Sequence, residues 1–237
     1  MKAPTSKRPR RHRLDYELIE ALVPEGSSVL DLGCGDGQLL ADLIEQKGCT
    51  GRGIDVDEAA VVACVQRGVP VYHGDMLEGM GFYGEGQFDV VVLSQTLQQT
   101  LRPPAVIREM LRVGRRAIIS FPNFGHWRVR LGLLVGGRMP RNRLLPYHWF
   151  NSPNVHLCTV RDFREFCDRE GLAREEEVFL TPRERRVRSW CANWRAGIAI
   201  FHVEKGGGSG EGGRQKWGER GDSNPRPPGP QPGALAD

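Results

Sequence analysis

Long apolar runs are the first feature that this 237-residue sequence lacks. No apolar stretch approaches the ~20 residues of a membrane-spanning helix, so we expect no membrane span. The amino-terminal region also lacks the apolar core of a secretory signal, so none is predicted. Together these absences predict a cytoplasmic protein.

Closely spaced cysteines are the second absence. The six cysteines form no C-x-x-C pair and no metal-ligand pattern, and they stand at Cys34, Cys49, Cys64, Cys158, Cys167 and Cys191. Scattered cysteines of this kind predict free thiols in a reducing compartment. Gaps of 22 and 8 residues separate His126, His148 and His156, which matches no common zinc spacing, so no metal site is predicted.

Acidic residues are scarce in two stretches. Residues 1–13 carry six basic side chains and no acid, and residues 102–146 carry ten arginines against Glu109 alone. A basic stripe suits nucleic acid, an acidic protein partner or an anionic substrate, and it is equally compatible with a plain solvated face. No RNA-binding module is recognisable, so nucleic acid, including RNA methylation, ranks last among these partners.

A strand, a glycine turn and a helix are predicted in succession near the amino terminus. The strand is Ser28–Leu32, and the helix is Gln38–Gln46 with apolar residues three and four apart. Gly33, Gly35 and Gly37 stand between them, in a G-x-G-x-G spacing that differs from the dinucleotide-binding G-x-G-x-x-G. Glycines leave backbone amides accessible and a helix amino terminus favours polar ligands, so this turn suits a nucleoside-like ligand.

Two carboxylates follow at the ends of the next predicted strands. Asp55 ends the strand Thr50–Asp55, 20 residues after Gly35, where an open α/β sheet places the acceptor for ribose hydroxyls. Asp75 follows the strand Val69–His73, where a carboxylate would meet the exocyclic amine of adenine. The alternative is an ordinary strand–turn–helix joint with two helix-capping acids.

Residues 28–94 resemble the class I S-adenosylmethionine (AdoMet)-dependent methyltransferases, on the glycine turn, Asp55, Gly74-Asp75 and Phe88-Asp89. The resemblance implies AdoMet or S-adenosylhomocysteine as ligand, with the three glycines at its methionine part, Asp55 at the ribose, and Asp75 with the Met76 backbone at the adenine. We expect Cys34 to be a small filler rather than a nucleophile. The cofactor-binding residues implied are Asp31, Gly33, Cys34, Gly35, Gly37, Asp55, Val56, Asp75, Met76 and Ser94.

Strands and helices alternate along the remaining chain. Further helices are predicted at Leu14–Val23, Glu58–Arg67, Ala105–Leu111 and Val160–Glu170, a glycine-rich loop at Met80–Gln87, and strands at Phe88–Leu93, Ala117–Phe121, Glu177–Leu180 and Gly197–Val203. Val61, Val62 and Val65 are expected to face the sheet. This order predicts an α/β fold with a doubly wound, mostly parallel, seven-stranded Rossmann-like sheet, and the methyltransferase resemblance implies an antiparallel last strand.

Three segments are expected in the chain. Residues 14–205 are predicted to form a single AdoMet-methyltransferase-like domain, preceded by a disordered basic arm at 1–13. Residues 206–237 are rich in glycine and proline and poor in aliphatic side chains, which predicts a disordered tail.

Side chains after the fourth and fifth strands are the candidates for contact with a methyl acceptor. The Asn/Asp-Pro-Pro-Tyr signature of enzymes that methylate amino groups of bases or glutamine is absent after the fourth strand. The Pro-Cys pair of cytosine C5 enzymes is absent there too, so those two substrate classes are not favoured. Loops at the carboxyl edge of such a sheet carry the site, so the catalytic candidates are Asn123, His126, His148 and His156. The alternative is that these residues pack a lid over the cofactor.

Five longer sequence segments indicate a particular protein family more specifically than the glycine turn does. The segments 93–98, 109–116, 120–130, 136–140 and 154–163 resemble the methionine biosynthesis protein MetW family, and the similarity runs from Leu14 to Val203. The resemblance implies a role in methionine synthesis beside a homoserine O-acyltransferase of the α/β-hydrolase type. The folded part has no G-x-S-x-G nucleophile turn, which favours a partner over the acyl-transfer enzyme itself. A methyltransferase acting on a small carboxylate or thiol is the competing hypothesis.

Overall fold

The computed structural model describes residues 14–139, 141, 145 and 147–206, and for Leu14 the backbone alone. The predicted basic arm at 1–13 and residues 207–237 of the predicted tail lie outside the described residues. Within these described ranges, no helix combines the length and apolar content that crossing a bilayer requires.

Seven strands form one sheet in the order β3-β2-β1-β4-β5-β7-β6. The strands are β1 Ser28–Leu32, β2 Thr50–Asp55, β3 Val71–His73, β4 Phe88–Ser94, β5 Gly114–Pro122, β6 Leu172–Leu180 and β7 Ile198–Lys205. The pairs among β1 to β5 are parallel, whereas β7 inserts antiparallel between β5 and β6. The predicted fold class, including the antiparallel last strand, is therefore confirmed.

Helices cover both faces of the sheet. They are α1 Leu14–Leu22, α2 Gln38–Lys47, α3 Glu58–Gln66, α4 Met76–Gly81, α5 Pro103–Val113, α6 Trp127–Gly136, α7 Val160–Glu170 and α8 Ala192–Arg195, with single 3-10 turns at Leu97–Gln99 and Ser189–Cys191. The predicted start of α7 is confirmed as a capping box, in which the Asp162 amide donates to Thr159 Oγ1 at 3.2 Å and the Thr159 amide donates to Asp162 Oδ2 at 3.0 Å.

The core consists of two apolar layers, one on each face of the sheet. One layer joins the sheet to α5 and α7, and the other joins it to α1 and α2. The central strand β4 contributes to both layers because Val91 and Leu93 point to one face while Val90 and Val92 point to the other. Its near-continuous apolar run is therefore explained by burial on two faces.

The predicted orientation of α3 is wrong. Val62 and Val65 are 49% and 63% exposed, and Cys64 is the residue of this helix that is fully buried. Alanine and valine occupy every side of the helix, so the apolar pattern has no phase that could indicate the buried side.

The predictions also differ from the structure at α4, α6 and β6, and by one to three residues at the ends of several other elements. The loop predicted at Met80–Gln87 begins with the end of α4, because the Asp75 side chain caps a helix that starts at Met76. α6 was not predicted, and β6 begins five residues before the predicted Glu177. The first half of β6 is polar because it lies at the sheet edge, so it lacks the apolar pattern of a central strand.

Candidate functional site

The glycine turn folds over the end of β2. The Gly33 amide donates to the Ile54 carbonyl at 2.8 Å, and the Gly35 amide donates to Asp55 Oδ2 at 2.7 Å. Asp55 Oδ1 accepts from the Asp57 amide at 2.9 Å. Two backbone donors thus hold the Asp55 carboxylate in place, and each oxygen keeps a second lone pair for a ligand hydroxyl.

The three glycines of the turn face different surroundings. A Cβ at Gly33 would lie 2.8 Å from the Thr96 side chain, and a Cβ at Gly37 would lie 2.8 Å from Cys64 Sγ. At Gly35, where φ is +57°, no heavy atom of the described residues lies within 4 Å of that position. Packing against protein explains Gly33 and Gly37, whereas Gly35 leaves open space against the backbone.

Two thiols lie beneath the turn. Cys34 Sγ and Cys64 Sγ are 3.7 Å apart, and Cys64 Sγ donates to the Gly35 carbonyl at 3.1 Å. Burial raises the pKa of the Cys34 thiol far above its ordinary value, with the nearby Asp31 carboxylate adding to the shift. A thiol that stays protonated is a poor nucleophile, so the geometry favours the filler role expected for Cys34. All six cysteines are free thiols.

The ends of β2 and β3 carry the other predicted ligand contacts. Asp55 is paired with His73 in the parallel ladder, and the Gly74 amide donates to the Asp55 carbonyl at 2.9 Å. Val56 is 67% exposed, an unusual state for a valine beside a buried strand. Asp75 caps α4 through Oδ1, which accepts from the Leu77 amide at 2.8 Å. The capping role considered for Asp75 is therefore real, and its exposed carboxylate stays at this edge of the sheet.

The end of β4 adds polar groups beside the glycine turn. The Gln95 amide donates to the Ser120 carbonyl at 3.0 Å, and Ser94 Oγ lies 3.3 Å from Ser120 Oγ. Gln95 has φ +56°, which is rare outside glycine. Gln98 Nε2 donates to the Gln95 carbonyl at 2.6 Å.

Within the described residues, the buried atoms Gln95 Nε2 and Gln98 Oε1 have no hydrogen-bond partner. Sequence reasoning named Ser94 but missed Thr96, Gln95 and Gln98. Their position directly after a buried strand was the available signal. Asp31, also predicted, is buried within β1 at 3% exposure.

Asn123 is occupied by the protein's own backbone. Its Nδ2 donates to the Ala196 carbonyl at 2.7 Å, with the Ala192 and Asn193 carbonyls at 3.4 and 3.3 Å. Its Oδ1 accepts from the Gly125 and Val160 amides at 3.0 and 3.2 Å. Since the side chain is 3% exposed, this arrangement favours a structural clamp over substrate contact.

The three histidine candidates have separate surroundings. His126 caps α6, with Nδ1 accepting from the Arg128 amide at 3.2 Å, and burial lowers its pKa. His148 is exposed and stacks on Phe150, with ring centroids 5.0 Å apart. His156 is exposed, with Nε2 3.4 Å from the Leu101 carbonyl oxygen. No cluster of three or more metal-binding side chains occurs within the described part of the chain.

Comparison with solved structures supports the fold. A methyltransferase from Haloferax volcanii, solved in complex with the Trm112 methyltransferase activator, is similar with a TM-score of 0.61 and 15% identity, over 84% of this chain and 92% of the other. An S-adenosylmethionine-dependent methyltransferase from Mesorhizobium loti is similar with a TM-score of 0.59 and 17% identity, over 81% and 98% of the two chains. At these identities the likeness shows the fold alone.

Relatives detected by sequence similarity indicate the family of this chain more specifically than the solved structures do. The bifunctional methionine biosynthesis protein MetXA/MetW of Rhodopirellula baltica is 38% identical over 175 residues, which is 70% of this chain and 28% of the relative. The ubiquinone biosynthesis O-methyltransferase of Pseudomonas aeruginosa is 37% identical over 106 residues, which is 41% of this chain and 45% of the relative. The chain therefore spans less than half the length of these relatives.

The family model described as methionine biosynthesis protein MetW matches residues 13–203, which include the glycine turn and all of the sheet except the last two residues of β7. This match, the R. baltica relative and the methyltransferase fold confirm the resemblance drawn from the sequence blocks. The chain belongs to the MetW family of methionine biosynthesis proteins.

Proposed function

We propose that this chain binds AdoMet or S-adenosylhomocysteine at the glycine turn and acts as the regulatory partner of a homoserine O-acyltransferase. The observation that carries the ligand assignment is the open space at Gly35 directly beside the fixed Asp55 carboxylate. AdoMet, when bound, supplies an activated methyl group on a sulfonium. A regulatory role requires only that AdoMet binds, without transfer of its methyl group.

The residues present fit an adenosyl ligand. Gly35 lets the ligand approach the backbone because a side chain there would fill the open space. Asp55 would accept from the ribose hydroxyls with its remaining lone pairs. Exposed Val56 offers an apolar contact to the adenine ring, with Asp75 and the Met76 backbone at its polar edge. The combination of apolar contact and polar edge suits a purine.

The partner assignment rests on the R. baltica relative. The name of that relative joins MetXA to MetW in one polypeptide, and this chain spans 28% of it. The family resemblance associates MetW with an acyltransferase of the α/β-hydrolase type, and the described part of the chain shows no G-x-S-x-G turn of its own. If AdoMet reports the output of methionine synthesis, then bound AdoMet must change the affinity of this chain for the acyltransferase. By linkage, the bound acyltransferase must change the affinity of this chain for AdoMet by the same factor.

Calorimetry tests both halves of this proposal. AdoMet titrated into the full chain, with and without the acyltransferase encoded in the same genome, should give different dissociation constants. Asp55→Asn should weaken AdoMet binding at least ~10-fold, because the amide nitrogen replaces an acceptor facing the ribose and the Gly35 amide. Asp57→Ala is the matched control, since Asp57 caps α3 through its own Oδ1. Equal AdoMet affinity with and without the enzyme would contradict the regulatory role, and full affinity in Asp55→Asn would contradict the ligand site.

Methyl transfer to a small carboxylate or thiol is a second candidate function, favoured by the similarity to the O-methyltransferase of P. aeruginosa. Transfer of this kind depends mainly on the orientation of the acceptor, so few diagnostic side chains are needed. Incubation with methyl-labelled AdoMet and an extract of small molecules discriminates the two functions. We expect no enzyme-dependent label in any small molecule, and label above the level of the Asp55→Asn variant would establish turnover.

A further inference from the structure

α6 and the neighbouring pair Trp149 and Phe150 expose several large apolar side chains. In α6, Leu131, Leu134 and Val135 are 48%, 84% and 79% exposed, and Val129 is the buried residue of the helix. Trp149 and Phe150 are 78% and 67% exposed. We call these five exposed residues the cap surface. A helix this apolar is normally packed against another element, and exposed apolar patches of this kind mark interaction sites.

Met139 and Arg130 each lie beside aromatic side chains from outside α6. Met139, three residues after α6, lines a small cavity of about 40 Å³ together with Tyr147 and Trp149. Arg130, within α6, lies over the exposed ring of Trp194, with its guanidinium carbon 5.3 Å from the ring centroid. Aromatic side chains and arginines are the residue types enriched at protein–protein interfaces.

The charges around the cap surface indicate which kind of partner binds it. The sequence has no aspartate or glutamate from Met110 to Arg161, while Arg138 and Arg141 are exposed just beyond α6. Symmetric contact with a second copy would bring these arginines towards each other, which disfavours self-association through this face. A partner with an apolar patch and an acidic rim is complementary to it.

We propose that the cap surface is the docking site for the homoserine O-acyltransferase, through an apolar patch with an acidic rim on that enzyme. This inference rests on the partnership in the proposed function. The R. baltica polypeptide supports it, because the MetW-like part there is covalently joined to a much longer remainder. Such a tether raises the effective concentration of two domains that contact each other.

Hydrogen bonds connect the segment after Phe150 to the residues that follow β4. The Val155 and His156 amides both donate to the Gln98 carbonyl, at 2.8 and 3.0 Å. Gln98 in turn bonds to the Gln95 carbonyl, which lies at the end of β4 one residue before Thr96. Thr96 packs against Gly33 of the glycine turn. Val155 and His156 follow Phe150 of the cap surface by five and six residues, so an enzyme docked there binds a few residues along the chain from a segment that is hydrogen-bonded to the ligand site. That segment is the route through which docking and ligand binding would affect each other.

The test compares Leu134→Asp with Val65→Asp in the full chain. Both residues are exposed and aliphatic, at 84% and 63%, but Val65 lies on α3. Leu134→Asp should weaken binding of the acyltransferase at least ~10-fold by calorimetry, while Val65→Asp stays within about twofold of the unmodified chain. Both variants should keep the AdoMet-induced thermal shift, and binding of the unmodified chain should weaken as salt rises.

Three results would overturn the cap surface as the docking site. Unchanged enzyme affinity in Leu134→Asp overturns the docking site and leaves the partnership standing. Absent enzyme binding by the unmodified chain overturns the docking site and the partnership together, while the thermal shift still reports the ligand site separately. The third result is intact enzyme affinity in Leu134→Asp together with the loss of a different interaction. If the variant converts a homodimer to a monomer, the surface binds a second copy of the chain. If it releases the chain from anionic phospholipid vesicles, the surface binds a membrane.

Discussion

Replacing Gly35 with asparagine should weaken AdoMet binding at least ~100-fold, equivalent to about 2.7 kcal/mol. Asparagine tolerates the left-handed backbone better than other residues with side chains, so the φ of +57° at Gly35 is largely preserved. Its side chain instead fills the space where no described atom lies within 4 Å of the Cβ position. The loss is therefore steric and local to the ligand, and it is measured by calorimetry on the folded variant.

Gly26→Asn is the matched control for this substitution. Gly26 also has positive φ, at +69°, and a Cβ there has no described atom within 4 Å. It lies between α1 and β1, before the strand whose far end leads into the glycine turn. Equal loss of AdoMet binding in both variants would show that backbone strain, rather than occupation of the ligand space, is responsible. Full binding by Gly35→Asn would refute the site at the glycine turn.

Asn123→Ala should lower the free energy of unfolding by about 3 kcal/mol and the melting temperature by roughly 10 °C. The substitution leaves the Ala196 carbonyl and the Gly125 and Val160 amides without their side-chain partner in a buried position. These groups belong to three segments, the loop after β5, the start of α7 and the residue after α8, so the loss loosens their junction. Denaturant unfolding of the isolated chain measures the effect.

A second asparagine provides the comparison. Asn151 is exposed, and its Oδ1 accepts from the His148 amide at 2.9 Å in a surface turn. Asn151→Ala should change stability by less than about 0.5 kcal/mol. AdoMet affinity per folded molecule should stay unchanged in Asn123→Ala, because its side chain is occupied by backbone groups. If Asn123→Ala were instead fully stable yet defective in ligand binding, its assignment as a structural clamp would be wrong.

Local sequence signals predicted the elements around the glycine turn well. β1 and β2 have the predicted bounds, since β1 is an apolar run that ends at Gly33 and β2 ends at an acid, Asp55. α7 has its predicted bounds because Thr159 and Asp162 cap one end and Gly171 terminates the other. These boundaries depend on contacts within a few residues, so they can be predicted from the sequence without the tertiary structure.

Elements without a local signal were harder to predict. The phase of α3 was misassigned because its apolar residues surround the helix, and only packing of Cys64 under the glycine turn sets its orientation. α6 escaped prediction because it has no polar face to give a helical period. The same apolar residues stand out in the structure because several of them are exposed among the described residues.

The amino-acid sequence by itself determined the alternating α/β order, the glycine turn, the two carboxylates at strand ends and the MetW family. Each of these depends on residue types and spacings within short segments of the chain. Only the tertiary structure decided which glycine faces open space, which side chain clamps the sheet to α7 and α8, and which apolar helix is exposed among the described residues. Those properties depend on atoms far apart in the chain: Thr96 packs against Gly33, Cys64 against Gly37, and Asn123 reaches Ala196 across 73 residues. Long-range packing of this kind has no counterpart in local spacing.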